Sequence, residues 1–325
     1  SLGIAPGSRQ VMQMLSRDGL LDKLIAAGAR LLESACGPCI GQGFSPANDT
    51  VTVRTFNRNF AGRTGTRQDQ CYLVSPETAV ATALTGVLTD PRTLGIACPS
   101  PAAPARFLID DRMILAPAAP GEAAPIIRKE TIGEPPRCAA LPAALEGTVL
   151  LKVGDKITTD HIMPAGAYLK YRSNIPRYAQ VVFECFNEEG KPTFAERAAA
   201  LRDAGGAGVI LAGESYGQGS SREHAAICPM FLGVRAVVAI SIERIHAANL
   251  VNFGILPLLL ADRADYERIG AGDRLVIAGL ATQLAPGKAI AATVLRADGS
   301  RSPVALTHTL SDEDIAMVLK GGRLA

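Results

Sequence analysis

Ten of the chain's 21 prolines fall between residues 91 and 145. Proline fixes φ and carries no backbone N–H, so so dense a stretch builds neither a helix interior nor a central strand. The 325 residues therefore read as a unit at 1–92, a Pro/Ala-rich linker at 93–145 and a second unit at 146–325. A short strand at Met113–Leu115 is the one element expected inside the linker. With 48% hydrophobic and 20% charged residues, the composition is that of a packed globular protein and excludes a disordered chain.

Charge and aromatic content narrow the functional classes. Lys+Arg 33 against Asp+Glu 31 leaves +2, with 5% aromatics and no tryptophan. Neither a basic field nor a base-stacking platform is available, so nucleic acid is not an expected partner. No run approaches the roughly 18 apolar residues of a membrane helix, so no membrane association is expected. The opening SLGIAPGSRQ lacks a basic region followed by an apolar one and is not read as a signal peptide. Seven cysteines, odd in number and irregular in spacing, suit a reducing compartment, and a cytoplasmic location is expected.

Periodicity places the elements. Ser8 caps a helix through Val11, Met12 and Leu15, and residues 21–32 carry apolar residues at helical spacing. Residues 51–56 read as a strand, and Pro76 opens a helix through TAVATALTGVL. In the second unit, strands are expected at 149–153, 208–212, 235–240 and 255–260. Helices are expected at 220–232 and 241–253, the latter stopped by Gly254. This alternation argues for an α/β fold.

Four segments carry chemistry. Cys36-Gly-Pro-Cys39 brings two sulfurs within reach of one metal, of an iron–sulfur cluster or of each other, or is simply a tight turn with two reduced thiols. Asn57, Arg58 and Arg63 follow the 51–56 strand. They offer guanidiniums for bidentate carboxylate recognition, or else a solvated loop with local ion pairs. Asp160 and His161 form an orienting pair, or else a satisfied turn after Thr158. GESYGQG (213–219) leads into Ser220-Ser221-Arg222-Glu223-His224, a glycine-rich loop entering a helix, where anions are favoured. The competing reading is a capping box, Ser220-x-x-Glu223, that spends the serine hydroxyl on the helix. No G-x-S-x-G elbow is present, which argues against a Ser-His hydrolase.

In SACGPCIGQG (34–43), FNRNFAGR (56–63), TTDHIMPAGAYLKYR (158–172) and GESYGQGSSREHAA (213–226), the sequence resembles the aconitase family, in the family's order and over nearly the whole chain. The resemblance implies the end of the family's third domain, a partial α/β/α unit, then the linker and the swivelling β/β/α fourth domain. It implies a hydro-lyase interconverting citrate and isocitrate through cis-aconitate with a [4Fe–4S] cluster. Cys36 and Cys39 match two of the three cluster cysteines, and Asn57 matches the asparagine beside the cluster. Arg58, Arg63 and Arg172 match substrate-binding arginines, and Ser220 matches the serine that acts as base. Ser221 and Arg222 match its substrate-binding neighbours, and Asp160 and His161 match a supporting acid–histidine pair. A tricarboxylate substrate needs such a set of cations.

The third cluster cysteine and the family's first two domains lie upstream of anything in this chain. The resemblance therefore implies a partner, either upstream domains or a complementary large subunit, and an isolated chain without turnover. Homoaconitase or isopropylmalate isomerase is the alternative hydratase, although Arg172 in YLKYR favours a carboxylate over an isopropyl group. A non-enzymatic RNA-binding relative and a degenerate interaction module are the readings from other classes.

Overall fold

The computed structural model describes residues 1–56, 59, 62–66, 68–125, 127–129 and 131–325. The chain divides into two compact units, Ser1–Pro125 and Ile126–Ala325.

In the first unit, β1 (Leu2–Ile4) and β2 (Ala29–Leu31) pair in parallel, joined by helices Arg9–Arg17 and Leu20–Ala26. Ser8 Oγ accepts from Val11 N at 3.1 Å, the cap its position predicts. The helix expected to run to Leu32 stops at Ala26, because residues 29–31 are drawn into pairing with β1. β3 (Val51–Arg54) and β4 (Gln70–Leu73) form a second parallel pair, with Val51 opposite Gln70. Helix Pro76–Thr85 follows, capped by Ser75 Oγ on Thr78 N at 3.2 Å. The strand expected at Met113–Leu115 is not formed: Ile114 N closes a turn onto Asp111 O at 2.9 Å, and all three side chains are exposed. A short apolar run makes a strand only where a neighbour accepts its backbone bonds.

The second unit is built on seven strands. They are β5 (Leu145–Val153), β6 (Ala207–Ala212), β7 (Val234–Ala239), β8 (Leu256–Leu260), β9 (Arg274–Ile277), β10 (Ile290–Leu295) and β11 (Arg301–Thr307). Their order is β10-β11-β8-β7-β6-β5-β9, closed into a barrel by β10 against β9. β5, β6, β7 and β8 run parallel to one another, and the remaining pairings are antiparallel.

β6 shows why its sequence is apolar without interruption. Val209 and Leu211 pack into the cluster that fills the barrel, whereas Ile210 and Ala212 pack with the helices outside. β7 divides in the same way, with Ala236 and Val238 inward and Val237 and Ala239 outward. A parallel strand covered on both faces has no polar side to show. Helices Phe194–Asp203 and His224–Phe231 supply much of the outer layer, and His224–Phe231 follows the loop that leaves the carboxyl end of β6. The architecture is mixed α/β, as expected; the closure of the sheet into a barrel is the added feature. Among the described residues, no helix is long and apolar enough to cross a membrane.

Candidate active site

The loop after β6 is pinned from below. Asp155 Oδ1 accepts from Glu214 N at 2.7 Å, Lys156 N donates to Glu214 O at 2.7 Å, and Gly217 N donates to Ile157 O at 2.8 Å. Thr159 N returns a bond to Gln218 O at 2.8 Å. Gly217 has φ +84°, and a Cβ there would lie 2.2 Å from the His246 ring. Only glycine lets the loop lie against that ring. His246 is buried, meets Tyr216 edge-to-face at 5.2 Å, and has no hydrogen-bond partner at either ring nitrogen among the described residues. Burial pushes its pKa down to about 4, so it is neutral.

The helix after the loop starts later than expected, at His224, with Glu223 as a helical-region N-cap that makes no side-chain bond. The Ser220–Glu223 capping box is therefore not formed. Ser220 is half-buried, and its hydroxyl makes no hydrogen bond among the described residues. Ser221 is exposed, and its carbonyl accepts from Asn249 Nδ2 at 2.7 Å. Asn249 and His246 stand three positions apart on helix Arg244–Asn252, so one helix braces the loop at Gly217 and at Ser221.

Arg222 reaches away from the loop. Its Nη1 donates to Asp160 Oδ1 at 2.6 Å and to the Met163 carbonyl at 2.8 Å, with the side chain 10% exposed. Asp160 Oδ2 is buried with no hydrogen-bond partner among the described residues. His161 does not complete this pair. Its Nδ1 accepts from Thr158 N at 3.1 Å, and its own N–H bonds Thr158 Oγ1 at 3.1 Å, so the imidazole serves as the return half of a capping box on the short helix Thr159–Ile162.

Arg172 is exposed, and its side chain has no hydrogen-bond partner among the described residues. Its carbonyl lies 2.8 Å from His224 Nε2. The second unit thus gathers Ser220, Ser221, Arg222, Asp160 and Arg172 around the start of one helix. His224, Asn249, His246 and Asp155 support them. The histidine in SSREH and the three-residue spacing of His246 and Asn249 were the available sequence signals for the supports.

In the first unit, Gly37–Ile40 forms a 3₁₀ turn. Cys39 is buried and Cys36 exposed. Gly41 has φ +82°, and a Cβ there would lie 1.9 Å from the Thr64 carbonyl, so glycine is what admits the 63–64 backbone beside the cysteine turn. Arg63 is buried and donates from Nη2 to Cys39 Sγ at 3.3 Å. Buried Arg54 donates to the Pro38 and Cys39 carbonyls. Asn57 and Arg58 lie outside the described residues. Among the described residues, no group of three His, Cys, Asp or Glu side chains could hold a metal ion. Cys36 and Cys39 supply two thiols beside a guanidinium, and these described residues alone do not fit a three-cysteine cluster.

Two family descriptions match the sequence: "Aconitase family (aconitate hydratase)" over residues 1–86 and "Aconitase C-terminal domain" over residues 168–263. The mitochondrial aconitate hydratase of Gracilaria gracilis is 32% identical over 99% of this chain and 46% of its own length. A putative mitochondrial aconitate hydratase of Aspergillus fumigatus is 34% identical over 99% of this chain and 45% of its own. The chain thus spans just under half the length of these curated relatives. A solved 3-isopropylmalate dehydratase from Methanocaldococcus jannaschii aligns with TM-score 0.41 and 25% identity, over 55% of this chain and 90% of that one. The mitochondrial names overturn the cytoplasmic location expected from the cysteines. All seven thiols are free, but free thiols report reducing surroundings and do not name a compartment. With one family description matching residues 1–86 and the other residues 168–263, the chain belongs to the aconitase family.

Proposed function

We propose that this chain is the serine-loop portion of an aconitase-type hydro-lyase, which interconverts citrate and isocitrate by removing and restoring water. The observation that carries the reading is the Ser220 hydroxyl, unspent on any hydrogen bond among the described residues and two positions from the Asp160-held Arg222. In the forward direction Ser220 Oγ takes the proton from the substrate carbon, and in reverse it returns it. A serine works as a base only where positive potential favours its alkoxide. The helix start at His224 and Arg222 supply that potential. With Nη1 bound to Asp160 and Met163, Arg222 keeps Nε and Nη2 to fork onto a substrate carboxylate. Exposed Arg172 takes a second carboxylate; Arg58 and Arg63 are assigned substrate-binding roles, Asn57 a role beside the cluster, and Cys36 and Cys39 the roles of two cluster ligands. Asp160 orients Arg222, and His161 supports the turn that carries Asp160.

The partner is the remainder of the family's length, present either as upstream domains or as a complementary large subunit. The test is Ser220→Ala in the assembled hydratase with citrate as substrate. A general base is worth about 100- to 10,000-fold, so kcat falls by that factor with KM nearly unchanged. Full turnover by the variant overturns the reading. Turnover of 3-isopropylmalate in preference to citrate overturns the tricarboxylate assignment.

A further inference from the structure

His224 faces two ways. It is the first residue of helix His224–Phe231, two positions after Arg222, and its Nε2 lies 2.8 Å from the carbonyl of Arg172, 52 positions earlier in the chain. A carbonyl only accepts, so Nε2 carries the proton. Nδ1 is 3.7 Å from Glu223 Oε1, beyond hydrogen-bond reach. The ring is seated against Tyr178 at 5.2 Å, and Tyr178 is itself fixed by burial and by donating its hydroxyl to the Pro164 carbonyl at 2.8 Å.

The turn carrying Arg172 has few other ties at that point. Arg172 N and Asn174 N bond back to Leu169 O and Tyr171 O at 3.1 and 2.7 Å, both within their own turn. Asn174 Oδ1 caps the short helix Ile175–Tyr178 through Arg177 N at 3.2 Å, and the Ser173 carbonyl accepts from Gly133 N at 2.8 Å. The Arg172 side chain is exposed. Its backbone is the part that the protein holds, and His224 holds it from the element that also presents Ser220 and Arg222.

We propose that His224 is a positioning residue: its Nε2–H clips the Arg172 backbone to the serine-loop helix and so fixes the spacing between two cations that receive one substrate. The clip stands on geometry alone, and its consequence for substrate rests on the hydratase reading above. With the clip gone, Arg172 belongs to a turn that can drift from Arg222, and a ligand gripping both must restore the spacing from its own binding energy.

Glutamine and asparagine substitutions separate this role from mere packing. A glutamine amide reaches the position of Nε2, and an asparagine amide reaches only that of Nδ1. In the 325-residue chain, amide hydrogen exchange across 168–176 is compared for His224→Gln, His224→Asn and His224→Ala. We expect exchange there to rise about tenfold in the Asn and Ala variants and to stay within about twofold of the parent in the Gln variant. Equal exchange in all three, or a Gln variant as unprotected as Ala, overturns the clip. In the assembled hydratase, the Asn and Ala variants should raise KM for citrate about tenfold with kcat within about twofold, and Gln should restore KM. An unchanged KM alongside raised exchange overturns the link to substrate. An assembled parent enzyme without citrate turnover overturns the hydratase reading instead and leaves the clip to be judged by exchange.

Discussion

The Arg222 guanidinium lies 2.6 Å from the Asp160 carboxylate, and this pair ties the serine loop to the turn after β5. The two side chains are 10% and 26% exposed, so the bond is only partly screened by water. Asp160→Asn keeps the shape and removes the charge. It should cost about 1.5–3 kcal/mol in urea unfolding, the range for hydrogen bonds to charged groups. Turnover by the assembled enzyme should fall as well, because Arg222 loses its orientation.

Gly217→Ala meets two obstacles at one position. The backbone has φ +84°, and the new methyl would press on the His246 ring. Left-handed backbone and overpacking together should cost roughly 2–4 kcal/mol. In the double variant Gly217→Ala/His246→Ala, the steric part should be relieved. A double-mutant cycle by denaturant unfolding that shows no coupling would rule out this contact as the source of the strain.

His246 gives the fold an acid limit. Its pKa falls from an ordinary 6.5 to about 4 on burial, so between those values the unfolded chain binds a proton that the folded chain refuses. Stability is therefore unaffected above pH 6.5, falls as pH drops toward 4, and loses up to roughly 3 kcal/mol by then. His246→Phe keeps a ring against Gly217 and cannot titrate. Its unfolding free energy should lack this portion of the slope, measured from pH 7 to pH 4.

Asn249→Asp swaps the donor facing the Ser221 carbonyl for an acceptor. Loss of the bond should cost about 1 kcal/mol in unfolding. Under the proposed chemistry, kcat should fall about tenfold with little change in KM, because the displaced residue neighbours the base and not a substrate cation.

Anaerobic reconstitution of the chain should give well under one four-iron cluster per molecule, read as iron, acid-labile sulfide and the visible spectrum. Cys36→Ser and Cys39→Ser should each remove whatever iron is held. A stoichiometric cluster would require a third ligand besides Cys36 and Cys39, within the chain or across a dimer.

Among the strands legible in the sequence, β6 and the later part of β7 are covered on both faces. β6 and residues 236–239 of β7 are unbroken apolar runs because the barrel interior lies on one side and helices on the other. β11 was illegible for the opposite reason. Pro303 argues against a strand, yet it lies opposite Thr293 on a stretch paired only with β10, since β8 reaches just Leu306 and Thr307. Barrel closure depends on pairings such as β5 with β9, which no local pattern encodes. In the site, the residue types of the serine loop were readable from their motif. Their commitments were not. Arg222 finds Asp160 62 positions away, and His161 is absorbed by Thr158 three positions away. The Ser220–Glu223 spacing satisfies the capping-box rule, but the helix begins one residue after Glu223.

A closed barrel offers no free row of backbone donors and acceptors. The second unit therefore has no barrel edge with which to recruit a neighbour by strand addition, and what meets it must be read through side chains and loops. The first unit is built otherwise: β1–β2 and β3–β4 are each a pair of parallel strands with outer edges. Within one chain, one unit can be extended by a neighbour's backbone, and the other can only be touched.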